Sequence, residues 1–528
     1  MKRDLDALST NTYDLVIIGG GIFGACAAWD AALRGLSVAL VERGDFSQAA
    51  SANCFKIVHG GIRYLQHGDI VRVRESSRER RALLRIAPDH VRPLPIVVPT
   101  YGHGLRGQAL MRAAMSLYDA LTADRNDGIR DPAWRIPSGR CLSRAETLAL
   151  FPGLETPELT GAAVFHDAQI ASPARLVMAF LHSAAREGAD AANYVEATGF
   201  LRGGDRITGV RARDALSGQP LEIRGRIVLN AAGAWAERLL ARDLGLALPR
   251  QLTFSRDAFF IMRKRLNTDH ALAVQAKTKD PDALLSRGRR HLFLAPWGGY
   301  TLVGVWHKVH RGDPDTMTLT ESELPGFLEE INAGYPLGLT PEDVVGWGAG
   351  LILFGENAPG ATHLSYGKRS ILVDHHAAHG LEGLVSLIGV RYTTARGMAE
   401  RALDLICAKL GASRPCRTET TPLHHNGDFS TGPAQFEPAK CLALVREEQA
   451  QTLSDVVFRR TDLGTAGHPG EAALRACAEV MATELGWDAG RVQRELDEVE
   501  RAYPRRGAAT RPQSAGAARA GATQPVAA

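Results

Sequence analysis

Tyr13-Asp14-Leu15-Val16-Ile17-Ile18-Gly19-Gly20-Gly21-Ile22-Phe23-Gly24 is the stretch that decides the fold of this 528-residue chain. Its apolar run, Leu15 to Ile18, is typical of a buried parallel strand. The glycines that follow have the spacing Gly19-x-Gly21-x-x-Gly24 of a dinucleotide-binding turn. In such a turn Gly19 allows the tight bend, Gly21 lets the backbone approach a pyrophosphate, and Gly24 lets the next helix pack closely on the strand.

The residues after the turn complete a βαβ unit. The pattern predicts an alanine-rich helix from Ala25 to Arg34, with Gly35 as its cap, and a second strand from Val38 to Val41. The N-terminus of that helix presents free N–H groups and the positive end of its dipole to phosphates. Glu42 ends the second strand, where a carboxylate can bond the ribose hydroxyls and favours a ribose without a 2′-phosphate.

Composition narrows the class of protein. Hydrophobic residues make up 45% and charged residues 23% of the chain, as in a globular protein long enough for two or more domains. The net charge of +4 is too small to indicate a nucleic-acid partner. The seven cysteines are scattered and form no C-x-x-C pair, which argues against a disulfide framework or a metal site such as zinc and indicates a reducing compartment. Since Met1 to Thr12 is polar and no long apolar stretch follows, we expect a cytoplasmic protein without a signal peptide or membrane span.

A second motif lies in the polar loop after Glu42. It reads Lys56-Ile57-Val58-His59-Gly60-Gly61-Ile62-Arg63-Tyr64-Leu65. This segment resembles the Lys-Leu-Ile-His-Gly-Gly-Leu-Arg-Tyr-Leu segment of FAD-dependent glycerol-3-phosphate dehydrogenases, which belong to the larger group of D-amino-acid-oxidase-like flavoenzymes. The resemblance covers most of residues 13 to 503 and implies FAD, rather than NAD, as the cofactor.

The expected fold is α/β, with a Rossmann-like FAD-binding domain, an antiparallel-sheet substrate domain and a helical C-terminal domain. The first two domains share residues 13–410 and alternate along the chain. The FAD-binding pieces are expected at about 13–95, 165–240 and 365–410, and the substrate pieces at about 96–164 and 241–364. The helical domain is expected at 420–503. The remainder, 504–528, is rich in Ala, Gly, Arg, Pro and Gln and is expected to be disordered.

The resemblance also implies the residues that bind the substrate and the cofactor. Arg63 and Tyr64 would face the substrate, and Arg369 and Arg391 would help to hold its anionic end. Arginine suits this task because its planar fork of donors matches a phosphate or a carboxylate. The expected cofactor-binding residues are Gly19, Gly21, Gly24, Glu42, Ser51, His59, Gly60, Val195, Gly233, Gly389 and Thr393.

Oxidation of an alcohol also needs a base for the hydroxyl proton, and two histidines are candidates beside the catalytic Arg63. His59 lies in the motif that would run along the flavin. His307 belongs to Val305-Trp306-His307, which stands where the family has Thr-Thr-Asp. Each histidine could also be purely structural, and the sequence leaves the choice open.

Two further positions depart from the family pattern. Leu351 replaces an arginine that helps to hold the substrate phosphate, and Arg391 replaces a lysine. Arg391 keeps the charge, although arginine and lysine differ in reach and donor geometry. The substrate site is therefore expected to be divergent.

The family reaction oxidises sn-glycerol 3-phosphate to dihydroxyacetone phosphate by hydride transfer to flavin N5 and passes the electrons to a quinone. The departures leave open a sister flavoenzyme that acts on another hydroxy acid, sugar phosphate or amine. Oxygen also stays open as the electron acceptor. The retained His59, Gly60, Gly61, Arg63 and Tyr64 argue against a non-catalytic FAD-binding protein. A homodimer is a further expectation.

The segment from Leu105 to Leu121 is predicted to form an amphipathic helix. Such a helix either lies in a membrane interface or covers a protein core. The resemblance favours the inner face of the cell membrane, because respiratory members of the family are peripheral membrane proteins. The apolar stripe consists of Leu110, Ala114, Leu117 and Leu121, with Met111, Met115 and Tyr118 beside it and Arg106 and Arg112 nearby.

Overall fold

The structure is a computed structural model that describes residues 1–102, 107–154, 156–248, 252–279, 289–353, 369–424, 437–465 and 467–503. Seventeen strands lie in these ranges and form two sheets. The tail predicted at 504–528 and the start of the helix predicted at Leu105 lie outside the described residues. The strands are β1 (Thr12–Ile18), β2 (Val38–Val41), β3 (Ile57–Val58), β4 (Val91–Tyr101), β5 (Arg140–Ser143), β6 (Leu159–Ile170), β7 (Asp190–Ala192), β8 (Val195–Gly203), β9 (Arg206–Asp214), β10 (Pro220–Asn230), β11 (Phe254–Met262), β12 (Ala271–Lys279), β13 (Arg289–Trp297), β14 (Tyr300–His310), β15 (Val344–Leu353), β16 (Ile371–Asp374) and β17 (Leu384–Ile388).

Helices cover the two sheets and form the C-terminal part of the chain. The α-helices of the described residues are α1 (Leu5–Thr10), α2 (Ile22–Leu33), α3 (Ile70–Ile86), α4 (Gln108–Leu121), α5 (Arg144–Leu150), α6 (Pro173–Arg186), α7 (Ala236–Leu244), α8 (Leu324–Gly334), α9 (His375–His379), α10 (Ala395–Leu410), α11 (Pro438–Glu448), α12 (Leu453–Asp455), α13 (Glu471–Leu485) and α14 (Ala489–Arg501). A π-helix, Val456–Arg460, continues α12.

The first sheet has the order β16-β17-β10-β1-β2-β7, and β9 and β8 extend it from β10. Its central strands are parallel, and Leu15 of β1 is paired with Val38 of β2 and with Ile227 of β10. Helices α2, α6 and α10 pack together, and Trp29 of α2 meets Phe180 of α6 edge to face at 5.5 Å. The predicted strand–turn–helix unit and the Rossmann-like class are thereby confirmed.

The second sheet has the order β15-β11-β14-β13-β12-β4-β6-β3, with β5 paired to β6. All of its pairs are antiparallel except β12 with β4. The sheet thus takes its strands from several separated parts of the chain, including the two-residue β3 inside the His59 motif. The division of residues 13–410 into pieces stays a prediction. One strand of this sheet, β6, runs through the boundary that was proposed at residue 165.

The C-terminal helices have a small apolar core of their own and dock onto the first sheet through buried charges. The π-helix directs Arg459 and Arg460 at Asp45, which follows β2. Arg460 bonds both carboxylate oxygens at 2.7 and 2.8 Å, and Nε of Arg459 lies 2.6 Å from one of them. The amide of Asn193 adds a fourth hydrogen bond to Asp45, and Asp45 and Arg460 are completely buried. The helical class of this domain is confirmed.

Candidate functional site

The glycine turn between β1 and α2 has the geometry that dinucleotide binding requires. Gly19 has a φ of +111°, in the left-handed region, which favours glycine. A Cβ on Gly24 would lie 1.9 Å from the carbonyl oxygen of Gly19, so glycine is needed for α2 to pack this closely. Gly21 is the N-cap of α2 in extended backbone, and a Cβ there would meet only the side chain of Ser51 within 4 Å. The volume beside Gly21 therefore opens at the positive end of the helix.

Glu42 lies beside this turn. Its carboxylate accepts hydrogen bonds from the backbone N–H groups of Gly20 at 2.7 Å and Gly44 at 3.0 Å, and burial raises its pKa. The backbone N–H of Val195 donates to the carbonyl oxygen of Glu42 at 2.8 Å. The structure therefore brings the predicted ribose carboxylate and Val195, another predicted cofactor residue, together where β2 ends and β8 begins.

Three more predicted cofactor residues lie near the turn. Two of them contact the first residues of α2, and the third leaves open space beside it. The Ser51 hydroxyl accepts from the backbone N–H of Ile22 at 2.9 Å, which ties the polar loop to the helix. Gly389 packs against Phe23, because a Cβ on Gly389 would lie 1.8 Å from that ring. Gly233 has a φ of +57°, and a Cβ there would meet nothing within 4 Å. Their roles as cofactor ligands stay predictions.

The backbone of His59 and Gly60 is held by residues that the sequence did not single out. The Gly60 N–H donates to Asp167 at 2.5 Å, and the Gly60 carbonyl accepts from the Tyr118 hydroxyl at 2.9 Å. Arg80, fully buried, pairs with Asp167 at 3.0 Å. A Cβ on Gly60 would lie 2.2 Å from both Arg80 and Tyr118, which leaves room only for glycine. A charged residue inside the apolar β6 was the available signal for Asp167, since a buried carboxylate needs partners.

Aromatic and cationic side chains gather at Tyr64. The guanidinium groups of Arg72 and Arg391 lie over its ring, 4.5 and 4.9 Å from the centroid. His59 meets the same ring edge to face at 5.7 Å, and the His59 backbone N–H donates to the Thr393 hydroxyl at 3.3 Å. The structure thus brings His59 and Tyr64 of one predicted motif together with Arg391 and Thr393 of another.

The surroundings of His59 are strongly positive. Burial, and then the guanidinium groups of Arg391, Arg80 and Arg63, lower the pKa of His59 to about 3. The imidazole is therefore neutral at physiological pH, and an anionic ligand would be attracted to the same place. Arg369 is exposed, and its share in binding that ligand stays a prediction.

The second sheet packs against the polar loop. A Cβ on Gly350 of β15 would lie 2.7 Å from Cα of Ala50, and a Cβ on Gly304 of β14 would lie 2.9 Å from the ring of Phe55. Side chains alternate between the faces of a strand, so Leu351 projects away from the loop that Gly350 faces. Position 351 is buried and does not share the loop face with Gly350, and its part in substrate binding stays a prediction.

His307 lies on β14 of the second sheet. Its Nδ1 is 2.6 Å from Oδ1 of Asp257 on the neighbouring β11. The two side chains are 17% and 12% exposed. The sequence predicted His307 as a candidate base but gave no sign of Asp257, because strand pairing brings the two together.

The residues around the glycine turn fit a bound FAD. The open volumes beside Gly21 and Gly233, the free N-terminus of α2 and the buried carboxylate of Glu42 are the features that a dinucleotide needs. The first turn of α2 would hold the pyrophosphate, Glu42 the ribose, and the His59–Gly60 loop would run along the flavin.

Comparisons with known proteins agree with this site. A family model described as FAD dependent oxidoreductase matches residues 14–389, more than half of the chain. A second model, described as the C-terminal domain of alpha-glycerophosphate oxidase, matches residues 416–492. The two matches cover the glycine turn, both sheets and most of the C-terminal helices.

Individual relatives agree with the family models. The glycerol-3-phosphate dehydrogenase of Synechocystis sp. is 32% identical over 430 residues, which cover 80% of this chain and 75% of the relative. The Mycobacterium leprae glycerol-3-phosphate dehydrogenase is 29% identical over 547 residues, covering 93% and 88%. The solved structure of the glycerol-3-phosphate dehydrogenase from Bacillus halodurans complexed with FAD has the same fold, with a TM-score of 0.71 at 22% identity over 94% of this chain and 96% of that chain. This chain therefore belongs to the FAD-dependent glycerol-3-phosphate dehydrogenase family.

Proposed function

We propose that this protein oxidises sn-glycerol 3-phosphate to dihydroxyacetone phosphate and passes the electrons to a quinone. The observation that carries the proposal is the group of Arg63, Tyr64 and Arg391 beside His59, at the loop expected to run along the flavin. A phosphate is a multiply charged oxyanion, and guanidinium groups offer it paired, charge-assisted hydrogen bonds.

Bound FAD would supply the hydride acceptor. The residues of this chain would then position the substrate. Arg63 and Arg391 would hold the phosphate, while Asp167 and Tyr118 keep the Gly60 backbone in place below it. Because the neutral His59 adds no charge, the cationic character of the pocket comes from its arginines.

The alternative is a sister enzyme that oxidises another hydroxy acid, a sugar phosphate or an amine. It is favoured by the departures from the family pattern at Leu351, Arg391 and His307. Anaerobic mixing with each class of substrate would decide between them, because only a true substrate bleaches the flavin absorbance. Rapid bleaching by glycerol 3-phosphate supports the proposal, whereas bleaching only by an uncharged alcohol or an amine would reject it.

The electron acceptor needs its own measurement. A reduced enzyme that is reoxidised by a soluble quinone analogue, with little hydrogen peroxide formed in air, agrees with the proposal. Fast reoxidation by oxygen with stoichiometric peroxide, and none by the quinone, would identify an oxidase instead.

Removing the side chain of Arg63 should impair turnover but leave the cofactor bound. The loss of a charged hydrogen bond costs about 1.5–3 kcal/mol, or roughly one to two decades in kcat/KM. We therefore expect Arg63→Ala to lower kcat/KM for glycerol 3-phosphate by that amount with an unchanged FAD spectrum. Arg446→Ala removes an arginine whose partner, Glu484, lies on the surface of the C-terminal domain, and should leave turnover unchanged. An Arg63→Ala enzyme with full activity would show that the phosphate is held elsewhere.

We further propose that the enzyme binds the surface of a membrane with anionic lipids through α3 and α4. Met115 and Tyr118 face the protein, whereas Leu110 and Leu117 of α4 are 43% and 54% exposed. Ile70 and Val71 in the first turn of α3 are also exposed, and these two helices touch. The exposed Arg74 and Arg112 accompany this apolar surface, as expected for lipid headgroups. Among the described helices, none is long and apolar enough to cross a bilayer.

Two charges on α4 should release the protein from membranes without unfolding it. Since Leu110 and Leu117 are exposed, Leu110→Asp with Leu117→Asp removes little buried area but opposes insertion into the interface. Sedimentation with anionic vesicles should show the double variant in the supernatant with an unchanged Tm. Leu216→Asp, at an equally exposed leucine on the loop between β9 and β10, should sediment as the wild type does. Retained vesicle binding by the double variant would exclude this surface.

A further inference from the structure

We propose that His307 is the base that accepts the hydroxyl proton of the substrate and that Asp257 is the residue that positions it. This inference rests on the proposed function and identifies the proton acceptor that the sequence left open.

Three residues stand in one row across neighbouring strands of the second sheet. Asp257 of β11 is paired directly with Gly350 of β15 on one side and with His307 of β14 on the other. Residues paired directly in antiparallel strands project to the same face. Gly350 faces the polar loop that leads into the His59 motif, since a Cβ on it would lie 2.7 Å from Cα of Ala50. Asp257 and His307 therefore project to that face as well.

A β-bulge in β14 turns His307 towards the loop. The pairing of β11 with β14 skips Val305, so that Gly304 and Trp306 oppose consecutive residues of β11. Gly304 faces the loop, and Trp306 packs on the other face against Phe327 of α8 at 5.2 Å. Without the extra residue, strict alternation from Gly304 would turn His307 to the outer face. Bulges are common beside active sites because they redirect a side chain in this way.

Asp257 fixes the ring of His307 in a basic form. Nδ1 of His307 lies 2.6 Å from Oδ1 of Asp257, and the Ser255 hydroxyl donates to the same oxygen at 2.6 Å. An ionised carboxylate only accepts, so a hydrogen bond from Nδ1 to Asp257 would leave the lone pair of the ring on Nε2. The side chains of His307 and Asp257 are 17% and 12% exposed, so most of the pair is shielded from water but part of it is accessible to a small molecule.

His59, the other candidate, is poorly suited to accept a proton. The guanidinium groups of Arg63, Arg80 and Arg391 surround it, and a second positive charge there would be repelled by the groups that attract the phosphate. His307 instead pairs with the carboxylate of Asp257, and a carboxylate stabilises an imidazolium once it forms.

The step balances as follows. The substrate O–H bond breaks and its proton goes to Nε2 of His307. Bound FAD would accept the hydride of the adjacent C–H bond, and the electron pair of the broken O–H bond would complete the C=O bond. The two electrons lost by the substrate are those of the hydride, and the imidazolium returns its proton to solvent.

Kinetics of single and double variants tests the assignment. We expect His307→Gln to lower kcat for glycerol 3-phosphate by roughly 10²–10⁴-fold, the usual contribution of a general base. Asp257→Asn should lower kcat at least about tenfold and change KM far less, because it acts through the base. The double variant should be no slower than His307→Gln alone. Imidazole added to His307→Ala should restore part of kcat.

A matched control and a measurement independent of turnover complete the test. Glu500→Gln breaks another carboxylate–histidine pair, with His468 in the C-terminal domain, and should leave kcat unchanged. In ¹⁵N spectra of histidine-labelled protein, the His307 signals, assigned by their loss in His307→Gln, should show a proton fixed on Nδ1 and exchange of tautomers in Asp257→Asn.

Three results would overturn the inference: full activity of His307→Gln, imidazole rescue of His59→Ala but not of His307→Ala, or an unchanged tautomer in Asp257→Asn. A wild-type enzyme that glycerol 3-phosphate does not reduce would contradict the proposed function instead. The tautomer spectra would then still decide whether Asp257 positions His307.

Discussion

Gly21→Val should yield a folded protein without bound FAD. Gly21 has a φ of −79° in extended backbone, so valine fits its conformation, and the only side chain within 4 Å of a Cβ there is the movable Ser51. The valine side chain would occupy the volume at the N-terminus of α2 that a pyrophosphate needs. We expect FAD affinity to fall by at least about two decades, or roughly 2.8 kcal/mol, measured by flavin absorbance after gel filtration.

Two other glycine substitutions separate binding from folding. Gly326→Val in α8 adds a side chain where a Cβ meets nothing within 4 Å, and this variant should keep its FAD. Gly24→Val would place a Cβ 1.9 Å from the carbonyl of Gly19 and should damage the fold itself. Normal FAD content in Gly21→Val would refute the assignment of this turn as the pyrophosphate site.

Asp45→Asn should cause the largest loss of stability among single isosteric changes that we propose. Asp45 is completely buried and bonds Arg459 and Arg460, so removing its charge leaves two guanidinium groups in the interior with less compensation. Breaking a buried ion pair costs about 3–5 kcal/mol. We expect denaturant unfolding to show that loss, together with weaker FAD binding, because Asp45 lies on the same loop as Glu42.

Asp404→Asn is the matched control, since its carboxylate is 60% exposed and its buried partner Arg34 keeps two hydrogen bonds to Asp30. An ion pair made by so exposed a carboxylate contributes about 0–1 kcal/mol, so the unfolding midpoint of this variant should hardly move. Equal stability of the Asp45 and Asp404 variants would mean that the C-terminal helices do not depend on the buried pair.

The local parts of the fold could be predicted because their signals are short-range. The run from Leu15 to Glu42 has the periodicity, glycine spacing and acidic end that define a βαβ unit, and both strands and the helix formed, although the helix runs from Ile22 to Leu33 rather than from Ala25 to Arg34. Strand β2 likewise matches its predicted bounds of Val38 and Val41. The exposed positions of Leu110 and Leu117 could not be foreseen, since the same stripe would have suited a buried helix.

The missed parts of the site depend on contacts between distant residues. No periodicity indicates that Asp167 and Tyr118 hold opposite sides of Gly60, because they come from β6 and α4. The same holds for Asp257 and His307, whose contact requires a strand register and a bulge. Leu351 differs from these residues. The sequence allowed its position to be matched to a family motif, but the face of the sheet that it occupies follows only from the pairing of β15 with β11.

The order of strands in the first sheet has a consequence for biosynthesis. Strand β10 sits between β1, made at the beginning of translation, and β17, which ends at Ile388. Until the ribosome has released that segment, one edge of β10 has no parallel neighbour, and open edges of this kind promote aggregation. Pairings between such distant residues also slow folding. Chains that terminate before Ile388 should therefore accumulate as insoluble or chaperone-bound nascent products, and cofactor capture should be a late, post-translational event.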